Sequence, residues 1–592
     1  MVALRAAEAA AEGPLAFSFR LLIFDVLALE TARHVVTMLP VTSFHLGDLD
    51  AAVRADAPRA TRAAALLKQR DPSLWSQAPD VQAKIANRLG WLSSPHLMAE
   101  SIGRLTSFAS GVKDAGFTDV VLLGMGGSSL APEVLRAIVG VAPGWPRFHM
   151  LDSTDPAAVL AAATPPATTL YILASKSGGT IEPNSLAVHF RATLEGAGIA
   201  KWSDHFIAIT DEGTDLAKRA RDERFRDVFI NPSDIGGRYS ALSFFGMVPA
   251  ALMGQNIDAL IAGSMKMLDE AFDGSQALDN PAVGLGLAMG VCAKKGRDKL
   301  TLVLPRAFDA FGLWVEQLVA ESTGKNGTGV IPIAGEQFGP STAYGNDRLF
   351  VDARPDAGAL PGATVRMPWH DPLALGAEFT RWEVATAIAG ALMDINPFDE
   401  PNVQQAKDAT NTLLTAYKAT GSLPADAPDL ILPSGTEVTL TGRARMALAG
   451  RPAVTALQLL TPGDYFAQLA YVSPSSPLLA DLGRLRHAVR DGKCVATTLA
   501  VGPRYLHSTG QLHKGGPNTG VFLLVSVASA AGADVAIPGQ RYSFATLERA
   551  QALGDFASLD AKHRRAIHAH LPSADPAVIR ELIDALLAGV SS

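Results

Sequence analysis

Three short runs of apolar residues each lead directly into a small polar loop and then into a helical pattern. The runs are Asp119–Leu123, Leu170–Ala174 and His205–Thr210, and the loops after them are rich in Gly, Ser and Thr. Continuous apolar strands that alternate with helices indicate a parallel sheet covered on both faces. Ligands of such sheets bind at the carboxyl ends of the strands, so we expect the polar loops to form a site.

The chain has 592 residues, which is too long for one core and predicts several α/β units. A second unit begins at Leu300–Leu304, with helices over 311–322 and 379–393. Further strands are predicted at Ala453–Leu460, Cys494–Leu499 and Val521–Val527. We therefore predict three segments. Residues 1–64 are an unassigned, helix-prone N-terminal extension. Residues 65–285 and 286–592 are two parallel-sheet domains, and the second includes a C-terminal α/β segment.

Composition excludes several classes of function. The formal charge is −7, from 51 basic and 58 acidic residues. A chain with this net charge has no positive electrostatic field that would attract nucleic acid or an anionic membrane. The two cysteines, Cys292 and Cys494, lie far apart without metal-ligand spacing, and we expect neither a disulfide framework nor a zinc site. The apolar stretch Leu21–Leu29 is short and interrupted by Asp25. We expect a cytoplasmic protein without an export signal or membrane anchor.

The first loop contains Gly126, Gly127 and Ser128 between a strand and a helix. Glycines let a backbone approach an anion closely, and the N–H groups of a helix start point at it. The dinucleotide-binding fingerprint would place its third glycine where Ser129 stands. The loop alone indicates either ligand contact or a tight turn.

The second loop supplies three hydroxyls and one ammonium within six residues. Ser175, Lys176, Ser177 and Thr180 are the donors that a phosphate dianion needs. The alternative is an N-cap whose serines satisfy helix amides. A third loop places Arg238 after two glycines, where it is either a ligand-binding cation or a surface arginine in a turn.

Two residues outside these loops are candidates for proton transfer. Glu321 stands near the end of a helix that leads into a Gly-rich loop, where a carboxylate opposes the helix dipole and is poorly placed for stability. His507 lies among Gly, Ser and Thr, which is typical of a histidine near a ligand, although a capping role explains it equally well. His513, six residues later, is a competing candidate.

Six motifs together resemble the phosphoglucose isomerase family, and in detail the isomerase half of bacterial transaldolase/phosphoglucose isomerase fusions. The resemblance covers roughly residues 65–592. Its motifs are Gly124-Met-Gly-Gly-Ser-Ser-Leu, Ser175-Lys-Ser-Gly-Gly-Thr-Ile-Glu, Gly236-Gly-Arg-Tyr-Ser-Ala-Leu-Ser, Glu321-Ser-Thr-Gly-Lys, Asn396-Pro-Phe-Asp-Glu-Pro-Asn-Val with Lys407, and Leu506-His-Ser-Thr-Gly-Gln-Leu-His. The resemblance implies sugar-isomerase-type (flavodoxin-like, three-layer) domains and interconversion of glucose 6-phosphate and fructose 6-phosphate.

The resemblance also implies roles for the residues that match these motifs. Glu321 would be the base that moves a proton between C2 and C1, and Arg238 would stabilise the enediolate. His507 and Lys407 would open the sugar ring, and the loops would hold the phosphate. No metal or organic cofactor is implied. In the family the histidine comes from the neighbouring subunit, which predicts a homodimer with shared active sites.

Two features depart from the family pattern. The histidine motif follows the lysine motif, in the order Glu321, Lys407, His507, as the fusion-type isomerases also have it. Only about 60 residues precede the isomerase region, against about 250 for a barrel of the transaldolase type, and the first lysine is Lys68. We therefore expect no transaldolase activity.

Two other functions remain open from the sequence. One is isomerisation of a related sugar phosphate, such as mannose 6-phosphate or an aminosugar phosphate. The other is non-catalytic binding of a sugar phosphate, which would keep the phosphate loops and have no need of Glu321.

Overall fold

Three β-sheets, each built largely of parallel strands, organise the described part of the chain. The structure is a computed structural model and describes residues 42–356, 358–530 and 532–588. The predicted α/β class is confirmed, and the parallel strands follow from the apolar runs, which the structure buries. The residues 1–41, which include the stretch Leu21–Leu29, lie outside the described part.

The first sheet contains five parallel strands in the order β3-β2-β4-β5-β6. Every residue of the three inner strands, β2, β4 and β5, is buried. The strands are β2 Asp119–Leu123, β3 Arg147–Leu151, β4 Thr169–Ala174, β5 Phe206–Asp211 and β6 Asp227–Asn231. The polar loops that follow β2 and β4 therefore lie at neighbouring positions on one edge of the sheet.

Helices flank this sheet and connect it to the second one. The helices up to residue 294 are α1 Asp50–Lys68, α2 Pro79–Ala86, α3 Ser94–Asp114, α4 Leu130–Ile138, α5 Pro156–Ala161, α6 Ile181–Gly196, α7 Asp215–Asp222, α8 Phe244–Leu252, α9 Ile257–Ala271 and α10 Pro281–Lys294. The helix-prone character predicted before residue 64 is present in α1, which packs against α10.

The second sheet has the order β1-β10-β9-β7-β8. Its strands are β1 Ser43–His45, β7 Lys299–Val303, β8 Ile331–Ile333, β9 Arg348–Asp352 and β10 Ala363–Arg366. β1 pairs antiparallel with β10, so a segment that the sequence left in the unassigned extension completes this sheet. The helices predicted here are α11 Phe311–Thr323 and α12 Leu375–Leu392, and every residue of α12 is buried.

The C-terminal segment forms a third sheet of six strands, where the sequence had predicted two sheet-containing domains. The order is β11-β12-β16-β15-β13-β14, with the last four strands parallel. The strands are β11 Leu430–Ile431, β12 Glu437–Leu440, β13 Tyr465–Tyr471, β14 Ala496–Gly502, β15 Gly520–Val527 and β16 Arg565–Leu571. The domain boundaries at 64/65 and 285/286 stay predictions.

Six helices accompany this sheet. They are α13 Val403–Thr420, α14 Gly442–Leu448, α15 Leu478–Lys493, α16 Gly510–Gly515, α17 Phe544–Ala561 and α18 Pro576–Ala588. α13 and α17 pack against each other, and α17 also packs on β15 and β16. The strand predicted at Ala453–Leu460 is wrong, because residues 453–459 form a 3₁₀ helix.

No helix in the part of the chain that the structure describes combines the length and the apolar character needed to cross a bilayer.

Candidate active site

The first polar loop makes a short turn that packs directly on the Arg238 loop. Gly126 adopts a φ of +55°, in the left-handed region that favours glycine. A Cβ on Gly127 would lie 2.0 Å from the backbone oxygen of Gly237, so only glycine permits this approach. The hydroxyl of Ser240 donates to the backbone oxygen of Gly127 at 3.2 Å. The two loops predicted to bind ligand therefore lie side by side.

The second polar loop opens on a cavity of about 410 Å³. Ser177 and Thr180 line this cavity, and the hydroxyls of Ser175 and Thr180 lie 3.0 Å apart. Thr180 is the N-cap residue of α6, yet its side chain makes no capping hydrogen bond. The alternative interpretation of the loop as a hydroxyl-capped helix start therefore does not apply to Thr180.

Lys176, a predicted phosphate donor, has a carboxylate neighbour in the structure. It does not line the 410 Å³ cavity, and its ammonium forms an ion pair with Asp211 and donates to the backbone oxygen of Ser233 at 3.0 Å. Burial raises the pKa of the Asp211 carboxyl, although Lys176 opposes this shift. A carboxylate partner was not visible from the sequence, because Asp211 is the last residue of a different strand, β5.

Arg238 and Glu321 form the charged centre of the site. Arg238 is only 3% exposed, and its Nη1 lies 3.1 Å from the carboxylate of Glu321 and 3.1 Å from that of Glu400. Its Nε donates to the hydroxyl of Ser322 at 2.8 Å, and its Nη2 donates to the backbone oxygen of Pro397 at 2.8 Å. The arginine is therefore a fixed, buried cation beside the candidate base, and the alternative of a surface arginine is excluded.

Opposing effects act on the pKa values of this pair. Burial raises the pKa of the Glu321 carboxyl, the charge of Glu400 adds to this, and Arg238 opposes it; the net pKa is raised. For Arg238 burial acts to lower the pKa, but Glu321 and Glu400 outweigh it and the pKa is raised. Arg238 thus stays protonated while Glu321 has a carboxyl pKa closer to neutral pH, which suits a general base.

His507 lies at the 410 Å³ cavity in the same chain as the other site residues. Its Nε2 is 2.9 Å from the Oε1 atom of Glu182, and its side chain is 15% exposed. Gln551 donates to the same Glu182 oxygen at 2.7 Å, and Thr154 donates to Gln551 at 2.8 Å. The buried carboxylate therefore orients the imidazole, so His507 is more than a capping residue.

Glu182 was missed by the sequence reasoning, although it stands two residues after the last loop donor. Burial raises its pKa, but the charges of His507 and Lys407 outweigh this and the pKa is lowered. Lys407, which is exposed and lies on α13, lines the cavity together with Glu182 and His507. A carboxylate two positions past a phosphate-type loop, at the first turn of a helix, is the signal that would have found it.

Gln317 joins the two halves of the site. Its Nε2 donates to the Oε2 atom of Glu321 at 3.2 Å and to the backbone oxygen of His507 at 2.8 Å. Gly126 lies against Gln317 and His507, since a Cβ there would be 2.9 Å from the Gln317 Nε2 atom and 2.6 Å from the His507 backbone oxygen. Neither Arg238 nor Glu321 nor Ser128 lines the 410 Å³ cavity, and Gln317 is the side chain that connects Glu321, and with it Arg238, to the His507 segment that does.

His513, the competing histidine, belongs to the core. It is 3% exposed, and its ring lies against those of Tyr505 and Phe522, with centroid distances of 6.0 and 5.2 Å. Burial and the neighbouring Lys514 hold its pKa well below the usual range. The structure therefore offers His507, and not His513, for proton transfer.

Comparisons with known proteins agree with this geometry. A model of the phosphoglucose isomerase family matches residues 57–346. A glucose-6-phosphate isomerase of Thermosynechococcus vestitus is 30% identical over 395 residues, which are 57% of this chain and 73% of that protein. One from Synechococcus sp. (strain JA-2-3B'a(2-13)) is 31% identical over 401 residues, 58% of this chain and 74% of that protein. The chain belongs to the phosphoglucose isomerase family.

Membership of the phosphoglucose isomerase family confirms the family predicted from the six motifs. The fold is also shared with a solved glucose-6-phosphate isomerase of Chlamydia trachomatis, with a TM-score of 0.53 and 18% identity over 64% of this chain and 89% of that one. The family model ends at residue 346, so it includes Glu321 and Arg238 but not Lys407 or His507. The roles of these two residues rest on their positions in the structure.

Proposed function

We propose that this chain interconverts glucose 6-phosphate and fructose 6-phosphate through ring opening and an enediolate intermediate. The family and the names of the relatives support this reaction. The observation that carries the proposal is the buried Arg238 guanidinium 3.1 Å from the Glu321 carboxylate, linked through Gln317 to the His507 segment. An aldose–ketose conversion needs a carboxylate base beside a fixed cation, and the site supplies both.

The phosphate of the substrate binds at the Ser175–Thr180 loop. Ser177 and Thr180 supply hydroxyl donors at the start of α6, whose N–H groups favour an anion. Ser175 lies against Thr180, and the turn that contains Gly126, Gly127 and Ser128 contacts the His507 segment that lines the cavity. Lys407 supplies positive charge. Lys176 contributes less than a free ammonium would, because Asp211 neutralises it.

Ring opening moves a proton between the ring oxygen and the O1 hydroxyl of the sugar. His507, oriented by Glu182, exchanges this proton, and Lys407, which lines the same cavity, stabilises the charge that develops on oxygen. Glu321 then removes the proton from C2, Arg238 stabilises the enediolate, and Glu321 returns the proton to C1. The conversion is redox-neutral within the substrate and requires no cofactor.

The first prediction tests the base. Glu321→Gln should keep sugar-phosphate binding and lower kcat by about two to four decades, the usual weight of a general base. Turnover with glucose 6-phosphate is measured by coupled assay, and binding by calorimetry. Turnover close to that of the wild type would contradict the role of Glu321. Glu316→Gln, on the same helix, is the matched control.

The same assay separates the alternative functions. Turnover of mannose 6-phosphate or glucosamine 6-phosphate at a higher kcat/KM than glucose 6-phosphate would favour a related isomerase. Binding of glucose 6-phosphate without turnover by the wild-type chain would favour a non-catalytic sugar-phosphate-binding protein.

Assembly and location stay proposals from the resemblance and the composition. We propose a cytoplasmic homodimer that binds a small sugar phosphate and has no nucleic-acid or membrane partner. The supply of histidine from the partner subunit is not needed in this arrangement, because the chain's own His507 lies 2.9 Å from its own Glu182.

A further inference from the structure

A cluster of four polar side chains at the edge of the third sheet has no part in the proposed reaction. Ser526 is the penultimate residue of β15, and His568 and His570 stand on the neighbouring strand β16. Arg549 of α17 donates from Nη1 to the Ser526 hydroxyl at 2.7 Å and lies 3.1 Å from the Nε2 atom of His568. The Ser526 hydroxyl is 2.8 Å from His568 and 3.0 Å from His570. These residues, which we call the Arg549 cluster, converge on one point at the carboxyl ends of parallel strands.

The cluster carries one positive charge that is not neutralised locally. Burial lowers the pKa of Arg549 to about 10, so the guanidinium is protonated at neutral pH. Burial and the charge of Arg549 hold the pKa of His568 well below its usual range and lower that of His570 to about 4, so both rings are neutral. Glu437, which lines the same cavity as Arg549, acts on its pKa only through charge at longer range, and among the described residues no ion pair to Arg549 is present. A half-buried cation of this kind is stabilised by an anionic ligand.

Space for such a ligand is present beside the cluster. Arg549, His568 and His570 line a cavity of about 870 Å³, and Arg549 and His570 also line one of about 490 Å³. The second cavity contributes the hydroxyls of Ser473 and Ser475 from the loop after β13. Volumes of this size are typical of sites for small metabolites. Hydroxyl and guanidinium donors together suit a phosphate group.

Two helices separate this space from the catalytic cavity. On α13, Lys407 and Thr410 line the catalytic cavity, whereas Thr412 and Leu413 line the 870 Å³ cavity. On α17, Gln551 binds Glu182 in the active site two residues after Arg549. A ligand that moves either helix therefore acts on residues at both sites.

We propose that the Arg549 cluster binds the phosphate group of a small phosphorylated ligand whose body occupies the 870 Å³ cavity, and that this binding changes turnover through α13 and α17. The effect on turnover rests on the proposed isomerase function, whereas the binding does not. The site is therefore an effector site separate from the Ser175–Thr180 loop.

Inorganic phosphate is the probe for binding, titrated by calorimetry into the full chain. We expect two phosphate sites per chain. Arg549→Met should remove one of them, and the double variant Ser177→Ala/Thr180→Ala should remove the other. A single site that the double variant removes and Arg549→Met leaves unchanged would overturn the proposal. This measurement does not depend on isomerase activity.

Inhibition kinetics test the effect on turnover. With glucose 6-phosphate as the substrate, inorganic phosphate should inhibit the wild type in a mixed pattern and Arg549→Met in a purely competitive one. Purely competitive inhibition of the wild type, or a mixed pattern that survives in Arg549→Met, would overturn the effector role. Arg541→Met, at an exposed arginine outside the residues that line either cavity, is the control and should behave as the wild type.

A second variant distinguishes a loss of phosphate binding from a folding defect in Arg549→Met. Ser526→Ala keeps the guanidinium and removes one hydroxyl donor, and we expect it to weaken phosphate binding at this site by roughly tenfold. The melting temperatures of both variants are measured first. Unchanged phosphate affinity in a folded Ser526→Ala chain would contradict the assignment of that hydroxyl.

Discussion

At the scale of single residues, two carboxylates, those of Glu321 and Glu400, interact with the one guanidinium of Arg238. Glu321 and Glu400 each lie 3.1 Å from its Nη1 atom, but Glu321 is 13% exposed and Glu400 is 42% exposed. Because solvent screens an exposed charge, the Glu321 pair is the stronger one. Glu400 therefore adjusts the pKa of the base without being the base itself.

A change at Glu400 should shift the pH dependence of turnover. The charge of Glu400 helps to raise the pKa of Glu321, and only the ionised base accepts a proton, so kcat/KM falls as the pH drops through this pKa. In Glu400→Gln the pKa of Glu321 is lower, and the acid limb of the kcat/KM profile should move to lower pH. Glu400→Asp keeps the charge and is the control. An acid limb that stays in place or moves to higher pH would show that Glu400 does not act on the base.

At the scale of elements, the strand-end loops are positioned by contact with one another. Residues 126–128 touch both the Arg238 loop and the segment that ends at His507, so one short turn sets the distance between the cation and the histidine. The sequence marked each loop separately as glycine-rich. Their contact depends on strand order, which local residues do not reveal.

Gly127→Ala should test this contact. The new Cβ would lie 2.0 Å from the Gly237 oxygen, so the loops must separate. We expect a loss of about 1–3 kcal/mol in the free energy of unfolding, as for other overpacked sites, together with a lower kcat/KM. Gly237→Ala is the control, because a Cβ there meets no atom within 4 Å. Chemical denaturation gives the free energy, and equal stability of the two variants would refute the argument.

Elements differ in how well their patterns predicted them. The bounds of the buried strands that precede the polar loops were predicted within one or two residues, because continuous apolar runs are typical of sheet interiors. The segment 453–460 was predicted as a strand and is a 3₁₀ helix. Its buried positions, Ala453, Ala456, Leu457 and Leu460, recur every three or four residues, which is a helical period. Alanine and leucine without strict alternation were insufficient evidence for a strand.

At the scale of the whole molecule, one chain places His507 beside Glu182 and, through Gln317, connects it to Glu321. Moving the histidine motif behind the lysine motif places it in the third sheet's loops, and these pack on the first sheet. Gln317 and Glu182 hold this segment from two sides. We therefore expect each active site to be complete within a single chain, whether or not the chain forms a dimer.

Mixing two inactive variants tests this arrangement. If sites were shared, a dimer of Glu321→Gln and His507→Ala chains would contain one intact site, and a statistical mixture would recover about a quarter of wild-type activity. We expect no recovery, because each chain lacks one member of its own site. The variants are co-expressed and assayed with glucose 6-phosphate, and co-expressed wild-type and Glu321→Gln chains are the control. Recovery near the shared-site level would show that the partner supplies the histidine.

The sequence by itself determined the parallel α/β class, the loops at the strand ends and the family, because these depend on local runs of residues and on short motifs. Only the tertiary structure decided that Asp211 forms an ion pair with Lys176, that Glu182 orients His507 and that the C-terminal segment forms its own sheet. Each of these contacts joins residues distant in the chain, and the free energy that selects them comes from burial and pairing in three dimensions, which local pattern does not encode.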